Sequence, residues 1–190
     1  VLSTGIGPDN IDIVMNELDA LVNINLETRR PKEQLTSLNI IRIGTSGSLQ
    51  ADIPADSFVM SAYGLGMDNM LRSYSIDNVS DHVLEEAFIA HTHWDIRKGK
   101  PYAVKNSEKL EQLIYSPQMH KGITATSGGF YGPQGRILRL GLQDGELNSK
   151  MDNFNFKGNR ITNLEMETAA IYGLSKLLGH EALSLNAIIA

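Results

Sequence analysis

Apolar residues recur at helical spacing at Ile11, Val14, Leu18, Leu21 and Val22. They follow the Gly5-Ile6-Gly7-Pro8 turn and predict an amphipathic helix capped by Asp9 or Asn10. Ahead of it, Val1-Leu2-Ser3-Thr4 reads as the end of a strand. Residues 28–37 are polar, with the basic run Arg29-Arg30-Pro31-Lys32, and read as an exposed connection to a strand over residues 39–43. A turn at Gly44-Thr45-Ser46-Gly47 comes next, then a strand over residues 57–61, past Pro54. Periodicity is weakest over residues 62–102, which are assigned loops and one short helix over residues 81–91. Ser107 caps a helix running to Ile114, and residues 122–126 form a short strand. Residues 167–178 form a helix closed by Gly179, and residues 182–190 a final apolar strand. Strands and helices alternate without a repeat or a break in composition. The expectation is one α/β domain over residues 1–190, its sheet covered by helices on both faces. Because both ends stop in strand-like sequence, the domain is expected to be incomplete at both termini.

The 190 residues are 42% hydrophobic and 21% charged, a balance that suits a single globular core. No apolar run reaches membrane-spanning length and no signal peptide opens the chain, so a soluble, cytoplasmic protein is expected. The chain has no cysteine, which excludes disulfides, thiolate metal sites and a cysteine nucleophile. Seventeen basic against 22 acidic residues give a formal net charge of -5. That balance argues against nucleic acid as a partner but leaves room for a small anion held by local donors.

Several familiar motifs are near misses. Thr4-Gly5-Ile6-Gly7 lacks the third glycine of a dinucleotide fingerprint, and no P-loop string occurs. Gly44-Thr45-Ser46-Gly47-Ser48 has Ser48 where a nucleophile elbow needs its second glycine. His91-Thr92-His93 has no third ligand at matching spacing, so no metal site is expected.

Three clusters carry more. Arg42 interrupts the apolar strand Ile40-Ile41-Arg42-Ile43, and a buried-strand arginine needs either an acidic partner or an anion. The following Gly44-Thr45-Ser46-Gly47 offers hydroxyls and backbone amides suited to phosphate, and the residues alone leave the two readings open. In Gly128-Gly129-Phe130-Tyr131-Gly132-Pro133-Gln134-Gly135-Arg136, an aromatic ring, an amide and a guanidinium fall close together. A glycine-rich surface loop would look similar, but Gln134 with Arg136 also complements the acceptor–donor–acceptor edge of uracil. In Asn163-Leu164-Glu165-Met166-Glu167-Thr168, extended backbone would point both carboxylates the same way, although acidic residues are routine at a helix start.

In this order, and across nearly the whole chain, the clusters resemble the nucleoside phosphorylase family, most nearly its uridine-cleaving branch. The resemblance implies a three-layer α/β/α fold around a mixed, partly barrel-like sheet, assembled as homodimers or trimers of dimers. It implies that Arg42 and Thr45 contact phosphate, that Phe130 packs at the base or ribose, and that Gln134 and Arg136 bind uracil. Met166 and Glu167 would bind ribose, with Glu165 joining them less directly. Phosphorolysis of uridine would follow, with nucleoside and inorganic phosphate as substrates and neither metal nor organic cofactor. The alternatives are a purine nucleoside phosphorylase or hydrolytic nucleosidase of the same fold, and a noncatalytic nucleoside-binding protein.

Overall fold

The computed structural model describes residues 1–190. In chain order its elements are α1 (Pro8–Asn23), β1 (Ile24–Asn25), β2 (Arg30–Pro31), β3 (Asn39–Ser48), β4 (Phe58–Gly66), α2 (His82–Thr92) and β5 (Tyr102–Lys105). They continue with α3 (Glu108–Ile114), β6 (His120–Thr126), α4 (Leu147–Asp152), β7 (Asn155–Phe156), β8 (Asn159–Glu165), α5 (Thr168–Leu177) and β9 (Glu181–Ile188).

The main sheet runs β3-β9-β4-β6-β8-β7, with β5 on β4. Parallel and antiparallel pairs mix, and the first five strands close on themselves. β3 pairs in parallel with β9 from Asn39 to Ser46, and its last residues, Gly47 and Ser48, pair with Leu164 and Asn163 of β8. The turn expected at residues 44–47 is therefore strand, because the ladder passes from one neighbour to the other without interruption. The segment Val1-Leu2-Ser3-Thr4 is irregular rather than extended into the sheet. The helix cap also differs from expectation: α1 begins at Pro8, with Gly7 at its N-cap. Proline suits the first helical position because its missing N–H would have no partner there anyway. Asn10 does not cap, and its side-chain amide instead donates to the Ile6 carbonyl at 2.6 Å.

Helices cover the sheet on both sides. α1 and α5 share a core of Ile11, Met15, Leu71, Tyr102, Val104, Ile171, Tyr172 and Leu174. On the other side α2 and α4 bury Leu84, Phe88, Leu147 and Met151 against Leu65, Ile123, Ala125, Ile161 and Leu164. Close approach of α5 to β4 depends on Gly64, where a Cβ would lie 2.6 Å from the Ala169 Cα. α5 ends in a Schellman motif, with Gly179 at φ +79, the Gly179 N–H on the Lys176 carbonyl at 3.2 Å and the His180 N–H on the Ser175 carbonyl at 2.7 Å.

The inner side of the closed strands is polar. A β-bulge makes this possible: Ile123 pairs with Ile161, but the next residue, Thr124, pairs with Asn163. The extra residue in β8 reverses its alternation, so Ile161 and Leu164 face the α2–α4 core while Asn163 and Glu165 face inward. Hydrogen bonds then follow the strand order around the barrel. Arg42 (β3) donates to Asn186 (β9), Asn186 to Ser61 (β4), and Ser61 meets Thr124 (β6). Thr124 donates to Asn163 (β8), which donates to Ser46 back on β3.

Beyond the C-terminal end of β4, Asp68 accepts hydrogen bonds from the buried Tyr102 hydroxyl at 2.8 and 2.9 Å and from the Met70 N–H at 2.8 Å. Burial outweighs these bonds and raises its pKa to about 6. A carboxyl whose pKa is raised on folding weakens the folded state as it ionises. Asp68→Asn is therefore expected to raise the melting temperature at about pH 7.5. The advantage should shrink as pH falls through about 6 and vanish below the ordinary carboxylate range, as thermal melts across pH will show.

Candidate active site

The C-terminal end of β3, the start of the chain, the segment after β6 and the β8–α5 junction enclose a cleft of about 460 Å³. This is ample for a small ligand. Arg42, Thr45, Phe130, Gln134, Arg136, Glu165, Met166 and Glu167 all line it, so every site residue expected from sequence is brought to one place.

Arg42 is the hub. Its Nη2 lies 3.0 Å from Glu165 and 2.6 Å from Glu167, with the three side chains largely buried. Nη1 donates to Asn186 Oδ1 at 2.6 Å. The acidic partner considered for a strand arginine is thus present, while the same guanidinium faces the cleft. The two carboxylates differ in availability. Glu165 accepts from the Thr126 hydroxyl at 2.7 Å, from the Glu167 N–H at 2.9 Å and from the Thr168 N–H at 3.0 and 3.1 Å. It satisfies the N–H groups that open α5, so its oxygens are committed to the protein. Glu167 accepts only from Arg42 and from the Gly7 N–H, the latter at 2.6 Å, which ties the glycine turn before α1 to the cleft. Thr45, an odd number of residues along β3 from Arg42, is exposed at the cleft edge.

At the other end of the cleft a short 3-10 turn over Gly132–Gln134 ends at Gly135, whose φ of +74 needs glycine. The Gln134 carbonyl accepts from Asn148 of α4 at 3.1 Å, which anchors the turn. Arg136 lies over the Phe130 ring, 4.0 Å from its centroid, and donates to the Phe130 carbonyl at 2.8 Å and to Gln134 Oε1. Gln134 is 3% exposed, and its Nε2 is buried with no hydrogen-bond partner. A buried donor without a partner is costly, and a ligand acceptor would relieve it. The histidine pair is directed elsewhere: His91 Nε2 meets the Lys150 carbonyl at 2.9 Å, and His93 ends α2 at φ +50.

The Phosphorylase superfamily model matches residues 1–190. The chain belongs to this superfamily. The uridine phosphorylase of Thermococcus kodakarensis is 26% identical over 195 aligned residues, which take in all of this chain and 57% of that protein. A Trypanosoma brucei nucleoside phosphorylase with uridine phosphorylase activity superposes with a TM-score of 0.80 at 28% identity. That match covers 99% of this chain and 69% of the other. A Phytophthora capsici uridine phosphorylase shares the fold at a TM-score of 0.58 and 21% identity, over 98% of this chain and 63% of that one. The chain thus spans a little over half the length of the curated relative it matches.

In this superfamily member, sequence reasoning missed the supports of the site. Asn186 and Thr126 hold Arg42 and Glu165 from strands whose register a linear pattern does not show. Leu2, Ile6, Ile189 and Ala190 also line the cleft and carry no chemical signal of their own. Gly44, expected to turn the chain, instead clears space for Arg42: a Cβ there would lie 2.5 Å from the guanidinium carbon. Alanine ordinarily stabilises a strand relative to glycine. Gly44→Ala is instead expected to cost about 1–3 kcal/mol by displacing Arg42 from its carboxylates, measurable by denaturant unfolding.

Proposed function

We propose that the protein is a uridine phosphorylase, converting uridine and inorganic phosphate to uracil and ribose 1-phosphate. The observation that carries the reading is the pairing of Gln134 and Arg136 in the cleft, with Gln134 Nε2 buried and unpartnered. Arg136 holds the amide by donating to Oε1, and a small turn of the Gln134 amide toward the cleft would bring the unpartnered Nε2 to one uracil carbonyl and the second lone pair of Oε1 to N3–H. Arg136 itself donates to the other carbonyl, so the set matches the acceptor–donor–acceptor edge of uracil. The uridine-cleaving relatives from Thermococcus kodakarensis and Trypanosoma brucei support the same substrate class.

In this reading phosphate binds by Arg42 and Thr45 beneath the ribose, while Met166 and Glu167 hold the sugar and Phe130 packs at the base. Glu165 acts through Arg42 and the first turn of α5 and does not touch ligand. A phosphate oxygen forms the new bond to C1′ as the C1′–N1 bond breaks, and that bonding pair departs with the base. Negative charge spreads onto the uracil oxygens, where Arg136 and Gln134 stabilise it. The proton carried by hydrogen phosphate ends on the released uracil, so charge and atoms balance. Phosphate is a substrate, and the scheme needs no further cofactor. Exposed Leu2, Ile6, Ile43 and Ile189 around the cleft support a homo-oligomer in which a second copy covers them.

The deciding experiment measures base release from uridine and from inosine, each with and without phosphate, on the full-length protein. Uracil release that requires phosphate is expected. Inosine cleavage would assign the purine branch, phosphate-independent release a nucleosidase, and binding without turnover a noncatalytic role. Arg136→Ala is expected to lower kcat/KM for uridine by about 100-fold or more while leaving phosphate binding in place. Unchanged uridine kinetics in that variant would remove Arg136 from the base site.

A further inference from the structure

We propose that Asn186 is a positioning residue for phosphate, aiming Arg42 without touching either substrate. The proposal rests on the phosphorolysis reading and on the inward side of the barrel.

A guanidinium only donates hydrogen bonds, so Arg42 Nη1, 2.6 Å away, requires an oxygen from the Asn186 amide. The amide NH2 must then face the opposite way, where it lies 3.1 Å from Ser61 Oγ and 3.4 Å from Ser184 Oγ. Ser61 accepts this bond and shares a hydrogen bond with Thr124 Oγ1 at 2.5 Å, and Thr124 donates to Asn163 Oδ1 at 2.8 Å. Asn163 then offers its NH2 to Ser46 at 2.9 Å. Only at Asn186 is the orientation forced, because the reverse would set its NH2 against the guanidinium. The Asn186 oxygen is thus presented to Arg42 from a strand wall held on both edges, by β3 and β4.

Asn186 is 1% exposed and does not line the cleft. Its influence on a ligand must pass through Arg42. Glu165 and Glu167 both draw on Nη2, and attraction at one end alone leaves the guanidinium plane free to rotate. Holding Nη1 as well fixes the plane, and with it the direction in which the remaining donor capacity of Arg42 meets phosphate. A buried amide contributes nothing to apolar packing that an alanine or valine would not, whereas its acceptor matters to Arg42 specifically.

The test is steady-state kinetics of the full-length protein and of Asn186→Ala and Asn186→Asp, with the phosphate-induced rise in melting temperature measured on each. Alanine removes the aim. The near-isosteric aspartate keeps an oxygen against Arg42 but adds a third negative charge and loses the donor to Ser61. Asn186→Ala is expected to raise the phosphate KM about tenfold with the uridine KM within about twofold, and Asn186→Asp to raise the phosphate KM as well. Both should show a smaller phosphate-induced rise in melting temperature. A merely structural role would lower melting temperature and kcat together and leave the phosphate KM in place. A folded variant with the parent's phosphate KM, or an equal rise in both KM values, overturns the proposal. Should alanine prevent folding, the near-isosteric Asn186→Leu, which lacks the acceptor and adds no charge, decides by the same phosphate KM and melting-temperature readouts. If the parent releases no uracil yet is stabilised by phosphate, the functional reading fails and the melting-temperature comparison still judges Asn186. A parent that phosphate does not stabilise overturns the proposal as well.

Discussion

One guanidinium organises this molecule. Arg42 is nearly buried between two carboxylates at the β8–α5 junction and an amide on β9. Glu165 ends β8 and satisfies the opening N–H groups of α5; Glu167 ties back to the glycine turn before α1; Asn186 lies on β9. Ion pairs taken out of water are stable only when the remaining hydrogen-bond capacity is filled, and here backbone amides and hydroxyls fill it. The barrel closure, the helix start and the cleft therefore share one electrostatic centre. None of the three can shift without exposing an uncompensated charge in the other two.

A polar barrel interior places a further demand on the strands. Every inward side chain needs a partner at the correct height, so register matters more than it would in an apolar core, where sliding costs only packing. The bulge in β8 answers this demand by turning Asn163 and Glu165 inward while keeping Ile161 and Leu164 in the α2–α4 core. Buried hydroxyls and amides between Ser61 and Ser46 make the interior a scaffold of hydrogen bonds that ends at the cation.

This explains what could and could not be read from sequence. α3 and α5 were legible because their caps, Ser107 and Gly179, act within a few residues. The chemical clusters were legible because each is contiguous and keeps its order. β8 was not, since its bulge hides the two-residue alternation that marks a strand, and α4 is too short to show a helical period. Glycines misled where they serve space rather than turning: Gly44 makes room for a side chain inside a straight strand. Asn186, in an apolar final strand, gave no sign of its partner 144 positions away.

In the phosphorolysis proposed for this site, the charges at the hub act differently on the ground state and the transition state. One cation facing two carboxylates leaves the ribose end of the cleft with a surplus negative charge before phosphate arrives. For ground-state phosphate binding that surplus is unfavourable, and it places a premium on holding Arg42 in the single orientation that still serves the anion. In the transition state the balance reverses. As C1′–N1 cleaves in the proposed reaction, the ribosyl group would become positive, and the fixed Glu167 carboxylate beside it would then stabilise what it did not stabilise before. In that scheme the negative charge of the departing base would develop against Arg136, which also lines the cleft. Under the proposed function, a site built in this way would oppose its bound ground state modestly and favour charge separation between Glu167 and Arg136, the differential stabilisation that a glycosidic cleavage needs.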